Sequence, residues 1–167
     1  MQASFLMAAL EACRTSGLHT AVDTSGFGTR DDLLAAAELT DLFLFDLKFV
    51  DEPRHLAHTG VSNAPILANL RALSERRHRI WIRIPVLPGL NDDGASMHEA
   101  ARLVASLPGV ECVSLLPYHA WGLHKRARLG MDRGPGGLQP LAEGRLEALA
   151  GEFRALGLEA RLQGGST

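Results

Sequence analysis

Along this chain, short apolar runs alternate with longer stretches in which apolar residues return every three or four positions. The short runs, at 19–23, 42–47, 79–86 and 110–116, are bounded by Gly, Pro, Asp or Ser and read as strands. The longer stretches read as helices at 1–15, 30–39, 65–76, 95–107 and 141–156. Ser4 is a candidate cap for the first helix and Gly17 its stop. Thr29 with Asp32 resembles a capping box, Pro65 suits a first turn, and Gly157 suits a C-cap. Residues 50–63 read as a long polar loop, and a second loop runs from Pro117 to about Gly137. Residues 158–162 form a short last strand. The order is a helix, four βα units and an edge strand. That pattern predicts an α/β fold with a parallel sheet and right-handed crossovers. It fits either part of a barrel or an open doubly wound sheet, and 167 residues fall short of the roughly 250 of a closed eight-stranded barrel.

The run at 41–49, Asp-Leu-Phe-Leu-Phe-Asp-Leu-Lys-Phe, stands out because charges interrupt it. In a strand, Asp46 and Lys48 share one face. Apolar residues surround them, as in a strand buried on both sides, and a buried charge must be paired or used. This stretch alone leaves two readings, a structural pair or part of a site.

Composition narrows the class without naming a function. The chain is 46% hydrophobic and 22% charged, ordinary for a soluble globular domain. Its net charge of -2 argues against a nucleic-acid or membrane surface as main partner. No run approaches the ~20 apolar residues of a membrane span. Residues 1–10 lack a basic segment and a cleavage site, so they read as helix and not as a signal peptide. Cys13 and Cys112 match no disulfide or zinc spacing, fit a reducing cytoplasm, and read as core residues. One domain spans the chain.

In parallel α/β folds, ligands bind beyond the carboxyl ends of the strands. Each predicted strand delivers polar groups there: Asp23, Thr24 and Ser25; Asp46 and Lys48; Arg83, then Asn91 and Asp92; Tyr118 and His119. Lys48 and Arg83 suit a carboxylate or phosphate. Asp23 and Asp46 suit an ammonium, a ribose hydroxyl or a hard cation. His119 can donate a hydrogen bond to a ligand. No nucleophile–base pair and no Gly-rich phosphate loop is present, so the residues speak for binding more than for acid–base catalysis. Plainer roles remain open. Arg83 can pair with Asp46 or Asp23 and only neutralise the interior, and Asp93 reads as a helix cap. His55, His58, His78 and His98 read as solvated surface. His124-Lys125-Arg126 is either a solvated loop or a partner contact.

Five segments in order carry a family resemblance: His19-Thr20-Ala21-Val22-Asp23-Thr24-Ser25-Gly26, Phe45-Asp46-Leu47-Lys48, Thr59-Gly60-Val61-Ser62-Asn63, Arg83-Ile84-Pro85-Val86-Leu87-Pro88-Gly89-Leu90-Asn91-Asp92 and Leu115-Leu116-Pro117-Tyr118-His119. Together they resemble the activating enzymes of glycyl-radical enzymes, within the radical S-adenosylmethionine (SAM) superfamily. The resemblance covers about residues 2–162. It implies a partial (β/α)6 barrel of which about four βα units lie in this chain. It also implies SAM and a 4Fe–4S cluster as cofactors, reductive cleavage of SAM to a 5′-deoxyadenosyl radical, and hydrogen abstraction from a glycine of a partner enzyme. A glycyl-radical enzyme is then the protein substrate, and a flavodoxin- or ferredoxin-type protein the reductant. Asp23, Thr24 and Asp46 would line the methionine end of SAM, around a bound cation. Lys48 and Arg83 would orient its carboxylate, and His119 would reach the same pocket. Residues 118–126 would lie near the docked partner.

The chain departs from the family in one respect. These 167 residues contain no Cys-x3-Cys-x2-Cys and no Gly-Gly-Glu. Residues 1–3 resemble the point just after the Gly-Gly-Glu segment. The expectation is therefore a fragment, a truncated reading frame or a degraded gene, corresponding to the last two-thirds of an activating enzyme. By itself this chain would not cleave SAM. Such a piece would expose the apolar flank of its first strand. The competing expectation is a non-catalytic module that binds SAM or another anion, or docks a partner.

Overall fold

The computed structural model describes residues 2–118 and 141–162. Its elements, in chain order, are α1 (Ala3–Thr15), β1 (Ala21–Thr24), α2 (Arg30–Ala37), β2 (Leu42–Asp46), α3 (Glu52–Thr59), α4 (Ala64–Glu75), β3 (Ile80–Val86), α5 (Gly94–Ala105), β4 (Val110–Pro117), α6 (Arg145–Arg154) and β5 (Ala160–Leu162). The five strands lie in the order β1-β2-β3-β4-β5, all parallel. Consecutive parallel neighbours joined by crossover helices of one hand place α2, α4, α5 and α6 on the same side. One apolar cluster joins Leu33 of α2, Leu70 of α4, Val104 of α5 and Phe153 of α6 to Phe43, Phe45, Ile82, Ile84, Val113 and Leu115 of the sheet. A doubly wound sheet would reverse its strand order and carry helices on both faces. The sheet is therefore a barrel segment, with the predicted α/β class and four βα units in place.

Strand alternation writes the two faces into the sequence. In β3, Ile80, Ile82, Ile84 and Val86 are buried under helices, while Trp81, Arg83 and Pro85 are half-buried on the opposite face. In β2, Leu44 and Asp46 share that second face.

Several boundaries differ from the sequence reading. Residues 50–63 hold a helix, α3. Asp51 caps it by accepting the Arg54 amide at 2.8 Å, a proline occupies its first turn, and Gly60 ends it with φ 77°. Its buried residue is His55 and not an aliphatic one, so a hydropathy pattern misses it. Ser4 lies inside α1, whose N-cap Gln2 makes no side-chain capping bond. The Gly17 stop does form, with the Leu18 amide reaching the Cys13 carbonyl at 3.0 Å. Thr29 caps α2. The last helix starts at Arg145 and not at residue 141, because Gly144 before it takes φ 74°. The first strand begins at Ala21. Thr20 is instead held by Asp41, whose Oδ2 accepts its amide at 2.7 Å and its hydroxyl at 3.0 Å. β1 is an edge of the described sheet, and its exposed residues are Ala21 and Asp23. The apolar Val22 is half-buried against the core, so the flank is less apolar than expected. No helix among the described residues is long and apolar enough to cross a membrane.

Candidate functional site at the carboxyl rim of the sheet

Three of the predicted site residues meet on the open face. The register sets Asp46 beside Arg83, and Asp23 approaches from β1. The Arg83 guanidinium bridges both carboxylates: Nε donates to Asp46 Oδ1 at 2.9 Å, Nη2 reaches the same oxygen at 2.7 Å, and Nη2 also bonds Asp23 Oδ1. The Arg83 side chain is only 19% exposed. Its burial opposes the charge, and the bonds to Asp23 and Asp46 outweigh that and hold its pKa above the ordinary arginine value. The structural pairing foreseen for Arg83 thus exists, with both partners. It leaves capacity unused, because Asp46 Oδ2 accepts no hydrogen bond from the described residues.

Lys48 lies two residues beyond Asp46 and is exposed. No carboxylate among the described residues lies within 4 Å of its ammonium, so the Asp46–Lys48 pair does not form. Both residues instead line one cleft of about 200 Å³, with Ser25, Phe27, His55, Thr59, Val61 and Ile66. Lys48 also borders a second opening, of about 360 Å³, with Phe49, His58, Pro85 and Leu87. Thr24 falls on the helix side, opposite Asp23, and its hydroxyl accepts the Gly26 amide at 2.9 Å. His119 and the loop at 119–126 lie outside the described residues, whereas Tyr118 joins the sheet end by its amide to the Val86 carbonyl.

Three buried asparagines hold the rim loops. Asn69 donates to the carbonyls of Gly26 (2.8 Å) and Gly28 (3.1 Å), fixing the loop after β1. Asn63 donates to those of Phe49 and Val50, fixing the loop after β2. Asn91 accepts the Leu87 amide at 2.7 Å and donates to the carbonyls of Lys48 (3.2 Å) and Pro85 (2.8 Å). Asn91 is therefore a clamp between the loops after β2 and β3, and not a ligand-facing group. Asp92 accepts the Gly89 amide, and Asp93 caps α5 as expected. The amide and hydroxyl of Ser96, then Arg54, hold the Asp93 carboxyl below the usual range. Gly26 has φ 72°, and a Cβ there would sit 2.2 Å from the Phe45 ring.

Sequence reasoning missed His55 and Thr59. His55 is 3% exposed and not solvated. His58 is exposed and stacks on Phe49, His78 is half-buried edge-on to Phe43, and His98 is exposed beside Glu152. The available signal for α3 was its ends: Asp51 with proline two residues on, and Gly60 after one short helix length.

Cys112 is buried in β4 and Cys13 lies on α1. Among the described residues no three His, Cys, Asp or Glu side chains are grouped to hold a metal. The residues in hand therefore do not fit a 4Fe–4S cluster. They do fit the polar end of SAM, with two cationic groups for a carboxylate and open carboxylate oxygens for an ammonium or hydroxyl.

At the level of fold, the chain superposes on a radical SAM methyltransferase from Sphaerobacter thermophilus with a TM-score of 0.64 at 18% identity, over 89% of this chain and 42% of the other. The fold class is thus the partial parallel α/β barrel that the two proteins share. No protein-family model matches the chain. It is 35% identical over 162 residues to the trans-4-hydroxy-L-proline dehydratase activating enzyme of Clostridioides difficile, covering 96% of this chain and 53% of that protein. It is also 35% identical over 162 residues to the pyruvate formate-lyase 1-activating enzyme of Escherichia coli K12, covering 94% and 65%. A solved domain of a pyruvate-formate lyase-activating enzyme from Bacteroides vulgatus matches with a TM-score of 0.82 at 29% identity, over 97% of this chain and 91% of that one. The chain is a relative of the glycyl-radical-enzyme activating enzymes, as its ordered motifs implied. It spans about half to two-thirds of the length of these curated relatives.

Proposed function

We propose that this chain is the SAM-orienting part of a glycyl-radical-enzyme activating enzyme. The observation that carries the reading is the set of charges converging on the open face from adjacent strands: Asp23, Asp46, Arg83 and, just beyond, Lys48. When bound, SAM would supply the alkyl group used in the family's hydrogen abstraction. Lys48 and Arg83 would take its carboxylate. Asp46 Oδ2 and Asp23 would accept from its ammonium or hydroxyls or hold a cation beside it. His119 would bond the same ligand. The chain's residues bind and orient, and no electron-transfer step is assigned to them. The protein substrate would be a glycyl-radical enzyme, the reductant a flavodoxin- or ferredoxin-type protein, and the cluster thiolates would come from outside these 167 residues.

Titration calorimetry with SAM, and with acetate and L-lactate as simple carboxylates, tests the binding claim. Saturable heat with SAM that Arg83→Met removes is the expected result. No heat with SAM from a folded sample would overturn it. For the enzymatic claim, the intact gene product would be reconstituted anaerobically with iron and sulfide. Release of 5′-deoxyadenosine from SAM is expected, and its absence with a full cluster would count against the family activity.

A further inference from the structure

The cleft behind Asp46 and Lys48 is walled by α3, the helix that hydropathy did not reveal. His55 faces it from a buried position. Its Nδ1 lies 2.8 Å from the Val61 carbonyl oxygen and 3.0 Å from Thr59 Oγ1. A carbonyl oxygen only accepts, so Nδ1 must carry the proton. The Thr59 hydroxyl in turn donates to the His55 carbonyl at 2.7 Å, which pins the ring from a second side. In the neutral imidazole, Nε2 is then left with its lone pair. It has no hydrogen-bond partner among the described residues, and it is not a sealed, unsatisfied atom. His55 is among the residues that line the cleft, and Nε2 is its ring atom with an acceptor to offer there.

The same cleft presents the unused Oδ2 of Asp46, the Ser25 side chain and the Lys48 ammonium over an apolar wall of Phe27, Val61 and Ile66. Two acceptors beside one cation call for a ligand with O–H or N–H donors and one anionic group. About 200 Å³ accommodates a fragment the size of an amino acid or a sugar. No third metal-ligating side chain accompanies His55 and Asp46 among the described residues, so the acceptors do not form a metal centre.

We infer that this cleft is a ligand subsite in which His55 Nε2 accepts a hydrogen bond from an O–H or N–H of a bound small molecule that carries a carboxylate. The inference rests on the SAM reading above for the identity of that molecule, and it adds a binding residue to the rim. The donor can come from either half of SAM, the amino acid or the nucleoside.

Long-range ¹H–¹⁵N spectra of the intact protein, labelled at histidine, lysine and arginine, read this directly. The free protein is expected to show His55 protonated at Nδ1. Adding SAM should move Nε2 upfield and leave Nδ1 in place. L-Methionine and 5′-methylthioadenosine, added separately, identify the half that carries the donor. If SAM perturbs Lys48 and Arg83 but leaves Nε2 unmoved, or if the free tautomer is the reverse, the subsite is overturned and the SAM reading stands. If SAM perturbs none of the three, both fall. His55→Asn supplies a second measurement, since its amide can replace the Nδ1–H bond to Val61 but offers nothing in place of Nε2. An unchanged melting temperature with SAM affinity reduced about 5- to 10-fold is expected. A folded variant with unchanged affinity would overturn the subsite.

Discussion

The two ends of the sheet handle charge in opposite ways. At the amino ends, Glu111 and Asp41 are each held by local partners. Glu111 accepts from Arg79 Nε (2.6 Å), Arg79 Nη2 (3.2 Å) and the Trp81 indole (2.9 Å), and Asp41 closes on Thr20. Arg161 lies over the Trp81 ring at 5.1 Å. At the carboxyl ends, one guanidinium is shared by two carboxylates through one oxygen of each, and an ammonium stands without an acid among the described residues. Acids with their own local donors hold a fold together, whereas a shared guanidinium and an unpaired ammonium on a rigid frame are what a ligand can use. The contrast assigns stability to the lower end and recognition to the upper.

That assignment can be broken in order of effect. The largest change is expected from glycine. Gly109→Ala at the lower end drives a Cβ to 2.5 Å from the His78 carbonyl at φ 87°, while Gly26→Ala at the upper end meets only the Phe45 ring. Backbone yields less than a side chain, so Gly109→Ala should cost about 4 kcal/mol and Gly26→Ala about 2–3 kcal/mol in chemical unfolding. Equal costs would mean that the upper loop is as rigid as the lower. Next, Arg83→Met should weaken SAM binding about 100-fold while lowering stability by no more than about 1–2 kcal/mol. A large loss of stability with intact binding would make the triad structural. Glu111→Gln should do the reverse on a smaller scale, with a melting point a few degrees lower and SAM affinity unchanged.

The smallest effect is the acid response. Hydrogen bonds from the Thr20 amide and hydroxyl hold the Asp41 carboxyl below its ordinary value, and the Arg79 and Trp81 bonds do the same for Glu111. A depressed carboxylate stabilises the fold above its unfolded pKa, and that stabilisation is lost as pH falls through the folded one. Stability should therefore drop below about pH 4. Asp41→Asn should flatten part of the slope in acid denaturation monitored by circular dichroism, and an unaltered slope would remove Asp41 from the account.

Much of the fold was legible because, among the described residues, one face of the sheet is packed under helices and the other is half-exposed. In β3 the alternation of Ile80, Ile82 and Ile84 with Trp81, Arg83 and Pro85 states both the strand and its two faces. The charges Asp23, Asp46 and Arg83 interrupt apolar runs and could be found for that reason. α3 was hidden because its inward residue is a histidine held by a carbonyl, a kind of burial that hydropathy scores as exposure. Asn91 was misread for a related cause. Beyond a strand end, an asparagine that clamps carbonyls and one that binds a ligand look the same until the hydrogen bonds are drawn. The side to which Thr24 turns followed from strand parity, but its place beside Asp23 in the chain concealed it.

Asn63, Asn69 and Asn91 carry a further consequence. Each amide donates to two main-chain oxygens. Replacing any of them by aspartate, whether by mutation or by deamidation, changes the side-chain volume hardly at all. It would nevertheless set a carboxylate oxygen against two carbonyl oxygens, lone pair against lone pair. These three positions are thus constrained by proton count rather than by size, and chemical ageing of the rim would begin as a change of hydrogen-bond polarity with the shape of the loops still intact.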